Sequence, residues 1–244
     1  MRILFFLYTF AFLIFTIIAC KENPTAPSLP TDNGINNKEF IWTVDTLFHP
    51  EGFGMFPTGI SGTSPQDVWV SAINSVRQGE IYHFDGKKWE RKSPVAFFNF
   101  QIVDIKSFDE KTIFAIGFKY WFDPELRLSG VIFKYNGIKW DIVVEDVVDE
   151  SFLQYIYGSN KNDIWVTGGH GVLWHYDGSV WEKEIYRKER THGPIISFAD
   201  GSAYMASEHY ENEMGDTTYF YFSKYLNGVW RDIDSSLVPF YDGF

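Results

Sequence analysis

Two segments of the chain carry side chains that could bind a ligand. The first contains Tyr120, Trp121 and Phe122, and the second contains His209 and Tyr210. Aromatic rings beside polar groups can stack on sugars or anchor a peptide. The sequence therefore predicts ligand-binding residues in both segments, with a glycan or a protein as the partner. The alternative is that these rings pack against neighbouring parts of the fold.

The second segment is also acidic. Glu208, Glu211, Glu213 and Asp216 surround His209, and carboxylate oxygens are the ligands that a hard cation prefers. However, the spacing of these acids is not that of an EF-hand, and the six histidines of the chain show no HExxH pattern. We therefore expect a solvated acidic loop, with no bound metal and no cofactor.

The sequence contains none of the common catalytic motifs. It has no Gly-x-Ser-x-Gly elbow, no phosphate-binding loop and no dinucleotide fingerprint. We therefore predict that the protein is not an enzyme. The paired carboxylates of glycoside hydrolases have no fixed spacing in sequence. A carbohydrate-active enzyme that uses loop acids, such as those in residues 122–125, is the alternative.

The N-terminus has the pattern of an export signal. Arg2 is followed by an almost unbroken apolar run over residues 3–19, and then by Cys20, the only cysteine of the chain. The segment Ile17-Ile18-Ala19-Cys20 resembles the lipobox of bacterial lipoproteins. This resemblance implies a diacylglycerol on Cys20 and cleavage just before it. An uncleaved membrane helix and ordinary signal cleavage are the alternatives, because the apolar run is at the lower limit for a membrane span.

A lipid on Cys20 would define the location of the protein. Two acyl chains anchor a protein stably, so we expect a lipid-anchored protein of the bacterial cell envelope, on the outer membrane and facing either the periplasm or the surface. Residues 1–19 are the predicted signal peptide. Residues 20–39 are polar and contain three prolines, which predicts a flexible tether. The domain predicted to fold spans residues 40–244.

The net charge excludes some partners. The whole chain has a formal charge of −11. Removing residues 1–19 takes away one arginine and no acid, so the mature charge is 20 − 32 = −12. Such an acidic chain is not expected to bind nucleic acid or to adhere directly to anionic lipid. The acyl group is therefore the predicted contact with the membrane.

An aromatic repeat runs through the chain after residue 40. A segment in which an Asp-Gly or Asn-Gly pair precedes a tryptophan occurs four times, with tryptophans 51, 41 and 49 residues apart. The copies lie at residues 82–89, 133–140, 174–181 and 223–230. Each copy follows a segment with one central aromatic ring, at Trp69, Phe114, Trp165 and Tyr204.

Each repeat predicts four short antiparallel strands, which we name A to D. Asp-Gly and Asn-Gly favour type I′ hairpin turns, in which both central residues have φ > 0. The flanking residues alternate and are rich in aromatic and β-branched types, which is typical of strands. In the third repeat, strand A should end near Tyr157, B should span 163–167, C should span 172–176 and D should begin near Trp181.

Four strands every 40 to 50 residues are typical of β-propeller blades. The sequence therefore predicts an all-β fold, a β-propeller-like array of about four four-stranded blades that follows a signal helix and a disordered tether. The repeat resembles those of exported bacterial propellers, a class of repeat that implies no particular activity. Large rings such as Trp69, Trp89, Trp140, Trp165, Trp181 and Trp230 should fill the space between neighbouring sheets.

The ends of the array leave several arrangements open. Residues 41–44 look like an additional D strand, and residues 241–243 look like an additional turn. A closed ring, an open arc, association with another chain and a truncated chain are all compatible with this pattern. An open arc would expose sheet edges.

The connections between strands B and C are the expected place for function. We predict long loops in the second and fourth blades, over residues 118–128 and 208–216, which contain both candidate binding segments. The sequence therefore favours a lipid-anchored binding or assembly module without catalytic activity. A carbohydrate-active enzyme and a propeller fragment without activity of its own are the alternatives.

Overall fold

The computed structural model describes residues 44–47, 49–93, 99–122, 126–146, 152–210 and 218–233. The side chains of Trp121, Phe122 and Tyr210 lie outside this description, as do Cys20 and the predicted signal peptide and tether. All strands belong to a compact unit, Thr46–Phe244, and the other unit is Met1–Asp45. No helix within the described ranges is long and apolar enough to cross a membrane.

The described residues form sixteen strands in four antiparallel sheets, and each sheet follows chain order. Blade 1 contains β1 (Met55–Ser64), β2 (Asp67–Asn74), β3 (Gly79–Phe84) and β4 (Trp89–Arg91). Blade 2 contains β5 (Phe100–Asp109), β6 (Thr112–Phe122), β7 (Leu126–Tyr135) and β8 (Trp140–Asp146). Blade 3 contains β9 (Leu153–Asn160), β10 (Asp163–Gly168), β11 (Val172–Tyr176) and β12 (Trp181–Ile185). Blade 4 contains β13 (Thr191–Ser197), β14 (Ala203–Tyr210), β15 (Thr218–Leu226) and β16 (Val229–Asp232).

This arrangement confirms the predicted all-β, propeller-like array of four four-stranded blades. The A strands of successive blades contact one another, β1 with β5, β5 with β9 and β9 with β13. The blades therefore follow one another along an arc, and each meets the next across its face. Strand C of blade 3 has the predicted bounds, and strand B is one residue longer than predicted.

The turns between strands C and D are mostly not of the predicted type. Only in blade 4 do both central residues, Asn227 and Gly228, have positive φ, at 53° and 80°. In blades 1 to 3 only the glycine does. There the loop has four residues, and the carboxylate of Asp85, for example, accepts the amides of Lys87 and Lys88. These bonds lower the pKa of Asp85, and they stabilise the longer loop because the side chain satisfies two backbone donors.

The prediction of long loops between strands B and C is wrong for the residues that the structure describes. β6 continues to Phe122 and β7 starts at Leu126, so that Tyr120 pairs with Leu128. In blade 4, His209 pairs with Tyr219 in the same way. Aromatic residues favour the pleated backbone and pair well across strands. Both segments therefore lengthen the hairpin between strands B and C and do not form loops.

The rings at the centre of strand B form the joints between blades. Trp69, Phe114 and Trp165 are only 1–3% exposed. Each packs against a tyrosine and a tryptophan of the following blade; Phe114, for example, packs against Tyr176 and Trp181. This confirms that the repeated rings fill the space between sheets for Trp69, Trp140, Trp165, Trp181 and Trp230. Trp89 packs beside Phe84 of its own blade.

Two kinds of blade alternate along the array, and they differ in the polar group beside the central ring of strand B. In blade 3, the Asp163 carboxylate accepts from the Trp165 indole at 3.1 Å and lies 2.9 Å from His175 Nε2, and the imidazole stacks on the indole at 3.9 Å. Blade 1 repeats this arrangement with its own aspartate, tryptophan and histidine. Blades 2 and 4 instead place a lysine over the ring, Lys134 over Phe114 and Lys224 over Tyr204.

The histidine of the first kind of blade is thus structural, as its repeat position predicts. Burial opposes ionisation of Asp163, but hydrogen bonds with His175, Ser197 and Ser159 outweigh it and lower the pKa of this carboxyl to about 2. Hydrogen bonds to an ionised group are stronger than bonds between neutral groups. The network therefore holds strands B and C of the blade together while it orients the tryptophan towards the next blade.

Candidate ligand-binding groove

An open groove lies between blades 2 and 3. It has a volume of about 630 Å³ and is lined by residues of both blades: Phe114, Lys134, Val143, Val144, Glu145, Trp174, Tyr176, Ser179, Val180 and Trp181. The position of Phe114 is a tryptophan in blades 1 and 3. A phenyl ring fills less space than an indole. Trp181, which meets Phe114, is half-buried, as is the equivalent Trp140, which meets Trp69, whereas Trp230 is only 5% exposed.

The groove combines apolar walls with a few polar groups. Val143 and Val180 are 39% and 49% exposed. The indole N–H of Trp174 is buried and has no hydrogen-bond partner among the described residues. The indole N–H of Trp230, in the joint with blade 4, is buried in the same way. This donor is therefore part of the interior, and the groove offers the ring of Trp174 to a ligand.

Charged groups surround the aromatic floor. Lys134 Nζ lies 5.4 Å from the centre of the Phe114 ring, and Lys183 Nζ lies 6.0 Å from that of Trp174. Lys183 also pairs with Asp146 at 2.6 Å. Glu145 offers an acceptor on the opposite blade. The groove can therefore hold a ligand that has both an apolar face and hydroxyl or carbonyl groups, and its volume is within the range of small-molecule sites.

The residues singled out from the sequence lie elsewhere. Tyr120 is half-buried on β6, with Trp121 and Phe122 at the end of that strand. His209 lies on β14, where its Nδ1 is 2.8 Å from the carbonyl oxygen of Glu189. The structure does not bring the two segments together, because blade 3 lies between them in the array. Tyr120 and His209 are not among the residues that line the groove.

Sequence reasoning missed Trp174, Val143 and Glu145. Two departures from the repeat occur at the groove, but neither is enough to predict it. Phe114 stands where two other blades have tryptophan, and Trp174 stands where the equivalent residues are Tyr82, Phe133 and Ser223. A smaller ring on one blade therefore faces a larger one on the next.

A second cavity of about 390 Å³ lies beside the A strands of blades 1 to 3. It is lined by Thr58, Val103, Asp104, Gln154 and Tyr155. Burial raises the pKa of Asp104, although its carboxylate accepts the amides of Ile105 and Ile156 at 2.8 and 3.0 Å. The second of these bonds crosses from blade 2 to blade 3. Asp104 thus ties two A strands together, and among the described residues no second acid lines this cavity.

Two further charged networks are complete within the fold. The buried Glu80 contacts Arg91 at 2.6 Å, Ser93 at 2.8 Å and His49 at 3.1 Å. Asp232 receives two bonds from Arg190, at 2.9 and 3.1 Å, and one from Tyr186. These groups join loops to blades 1 and 4. Since their hydrogen-bonding capacity is used internally, they offer little to a ligand.

Metal binding was expected to be absent on sequence grounds. Within the described ranges, no group of three or more histidines, cysteines and acids is placed to hold a metal ion. Glu211, Glu213 and Asp216 of the acidic segment lie outside the described residues.

Comparisons with known proteins add similarity of fold only. No family model and no curated protein matches the chain. Solved structures similar to it include YCF48 from Cyanidioschyzon merolae (TM-score 0.47, 11% identity, 73% of this chain and 56% of that one). Another is a PL25 ulvan lyase bound to a sugar (TM-score 0.47, 13% identity, 69% of this chain and 52% of that one). A third is a xylan β-1,4-xylosidase from Bacillus halodurans (TM-score 0.44, 12% identity, 78% of this chain and 44% of that one).

The chain spans about half the length of these three structures. At such low identity and TM-score, nothing about activity is carried over from them. The class of the protein, a β-propeller-like array of four blades, rests on the order and pairing of its own strands.

Proposed function

We propose that this protein is a lipid-anchored binding module of the cell envelope that holds a carbohydrate in the groove between blades 2 and 3. The observation that carries the proposal is the groove itself, an open aromatic cleft of about 630 Å³. The catalytic motifs searched for in the sequence are absent, which favours binding over turnover.

The chemistry of the groove suits a sugar ring. The C–H face of a sugar is apolar and packs on aromatic side chains, while its hydroxyls need donors and acceptors. Trp174 supplies a ring, Glu145 supplies an acceptor, and Lys134 supplies a donor. Val143 and Val180 form the apolar walls on either side.

The anchor completes the proposal. A diacylated Cys20 would hold the protein on the membrane, and residues 20–39 would separate the blades from the surface. Mass spectrometry of the N-terminus should find an acylated Cys20. An intact Met1 would contradict this part of the proposal and leave the groove unaffected.

A glycan array with the full-length protein tests the groove. Val180→Glu places a charge on the groove wall, where desolvation should weaken sugar binding by at least about tenfold, or 1.4 kcal/mol. Val229→Glu is the matched control, because Val229 holds the same repeat position in blade 4 and both valines are 49% exposed. The control should bind as the unmodified protein does.

Two results would contradict carbohydrate binding in the groove. One is that no glycan binds the unmodified protein under conditions where it is folded. The other is that Val180→Glu and Val229→Glu reduce binding equally, because a ligand held elsewhere would not distinguish these two valines.

An acid-dependent carbohydrate enzyme is the second candidate. Asp104 favours it, since burial raises the pKa of this carboxyl beside a cavity, and a protonated acid can serve as a general acid. Release of reducing sugars that disappears in Asp104→Asn but persists in Val180→Glu would favour the enzyme. No turnover of any glycan that binds would exclude it.

A further inference from the structure

The first blade presents a face that is covered in every other blade. Ile60 on β1 is 72% exposed. The equivalent residues of the next three blades, Ile105, Ile156 and Ile195, are only 2–6% exposed, because each packs into the core that its blade shares with the preceding one. Blade 1 therefore carries the surface that accepts a preceding blade.

The last blade presents the opposite face. Tyr204 on β14 is 36% exposed, whereas the equivalent rings of blades 1 to 3 are 1–3% exposed beneath the following blade. Phe198 beside it is 45% exposed. Apolar rings grouped in this way on a protein surface mark an interaction site. Blade 4 therefore carries the surface that a following blade would cover.

The exposed face of blade 4 has the geometry of the covered face of blade 2. The rings of Phe198 and Tyr204 meet edge to face with their centres 6.0 Å apart and planes at 88°. Their equivalents in blade 2, Phe108 and Phe114, lie 6.3 Å apart at 78°. The lysines above the rings also match, at 5.3 Å in blade 4 and 5.4 Å in blade 2. The face is thus already arranged as it is in a working joint.

The exposed face of blade 1 matches that of blade 3, which receives blade 2. Phe84 and Trp89 lie 5.2 Å apart with planes at 37°, and the equivalent Tyr176 and Trp181 lie 5.1 Å apart at 31°. The aromatic pair of blade 3 packs against Phe114 of blade 2.

A glycine completes the match. At Gly158 of blade 3, an added Cβ would lie 2.7 Å from Cζ of Phe108, so the ring of blade 2 rests directly on the glycine. Gly62 is its equivalent in blade 1, with the same register shift in its strand pairing. The neighbours of Gly62 belong to blade 1 itself, Asp67 and Val68. The space that Phe108 fills above Gly158 is therefore open above Gly62 to the equivalent ring, Phe198.

We propose that blade 4 of one copy packs against blade 1 of a second copy, in the way that blade 2 packs against blade 3. Phe198 would rest on Gly62 of the second copy, and Tyr204 would pack beside its Ile60, as Phe114 shares a core with Ile156. The occupant is a second copy because every copy carries both halves of this joint, and because the alternation of the two kinds of blade continues across it. The contact joins different surfaces, so it closes into a ring or extends into a chain.

The mass of the full-length protein in detergent, measured by light scattering after size exclusion, tests this joint. We expect a mass of two or more copies. Phe198→Arg breaks the face of blade 4, and Ile60→Arg breaks that of blade 1, so each variant alone should be a monomer. Mixing the two should restore a dimer, because each variant keeps the face that the other lacks. Ile138→Arg, at an 89% exposed turn residue, is the control and should associate normally.

The mixing experiment also distinguishes loss of the contact from unfolding, because only folded variants can form the restored joint. A monomeric unmodified protein at the highest soluble concentration would overturn the proposal. So would a mixture that stays monomeric although both variants keep the circular dichroism of the unmodified protein. The acidic copies repel each other, so added salt should strengthen the association.

Discussion

The joints on the two sides of blade 3 use the same strands but different side chains. Towards blade 4, the ring of Trp165 lies 5.0 Å from that of Tyr225 and 5.5 Å from that of Trp230. Towards blade 2, the ring of Phe114 lies 6.1 and 5.9 Å from the rings it meets. The first joint is packed, and the second contains the groove.

Both joints also carry polar contacts; in the joint with blade 2, Asp104 accepts the amide of Ile156 at 3.0 Å and Lys183 meets Asp146 at 2.6 Å. In the joint with blade 4, Ser197 donates to Asp163 at 2.7 Å across a partly buried interface. In the joint with blade 2, Lys161 meets Asp109 at 3.4 Å, with both side chains about half exposed. Exposed pairs of this kind contribute about 0–1 kcal/mol.

The joint between blades 1 and 2 also has a tryptophan at this position, and Trp69 lies 5.4 and 6.2 Å from the rings it meets. The closer packing on the blade 4 side of blade 3 is therefore not due to tryptophan alone.

Replacing Trp165 by alanine should have the largest effect on this difference. The change removes a buried ring and its hydrogen bond to Asp163, and we expect the free energy of unfolding to fall by about 3–5 kcal/mol. Urea denaturation followed by circular dichroism measures it. Trp174→Ala, at a half-buried wall of the groove, should cost less; equal costs would mean that the two joints are packed alike.

The second largest effect should come from acidification, which should lower the free energy of unfolding through His192 in blade 4. His192 is buried on β13, where its Nε2–H donates to the carbonyl of Tyr186 and its Nδ1 accepts from Ser207. Burial lowers the pKa of His192 to about 4, below its ordinary value of 6.5. Because the unfolded chain then binds the proton more readily, stability is full above pH 6.5 and falls as the pH drops towards 4.

The loss over this window should be on the order of 3 kcal/mol, since one pKa unit corresponds to about 1.4 kcal/mol. Urea midpoints at pH 7 and pH 5 measure it. His192→Gln can donate and accept but does not titrate there, so its midpoint should change less between the two values. An unchanged pH dependence in this variant would show that another group is responsible.

Phe114→Trp should make the two joints alike at the smallest cost in stability. The larger ring enters space that the groove leaves free, so we expect the free energy of unfolding to change by less than about 1.5 kcal/mol. Carbohydrate binding should be lost, because the indole occupies the cleft. A variant that is stable and binds a glycan as before would place the ligand outside the groove.

The sequence predicted the strands better than the connections. The repeat marked strand C of blade 3 from Val172 to Tyr176 because side-chain alternation is a local property. It predicted the wrong turn at Asp85-Gly86, because the choice between two and four loop residues depends on how far the strands pair. It also placed Tyr120 and His209 in loops, since nothing in a short aromatic segment distinguishes a loop from a longer hairpin.

The sequence predicted the type of residue in the candidate site but not its position. Aromatic residues are predicted to form a binding surface, and the structure shows an aromatic groove between blades 2 and 3. Ligand binding at Tyr120 and His209 stays a prediction. The groove depends on residues more than sixty positions apart, Phe114 and Val180, and on the gap between two sheets. No local pattern measures that gap.

The sequence by itself determined the number of blades, the order of their strands and the rings at their centres, because alternation and turn residues act over a few positions. It also predicts the lipid on Cys20, which lies outside the described residues. Only the tertiary structure decided which rings are covered. Phe114 and Tyr204 hold the same place in the repeat, yet one is buried and the other is 36% exposed. The difference is the neighbouring blade, and coverage by a neighbour is a property of the assembled sheets.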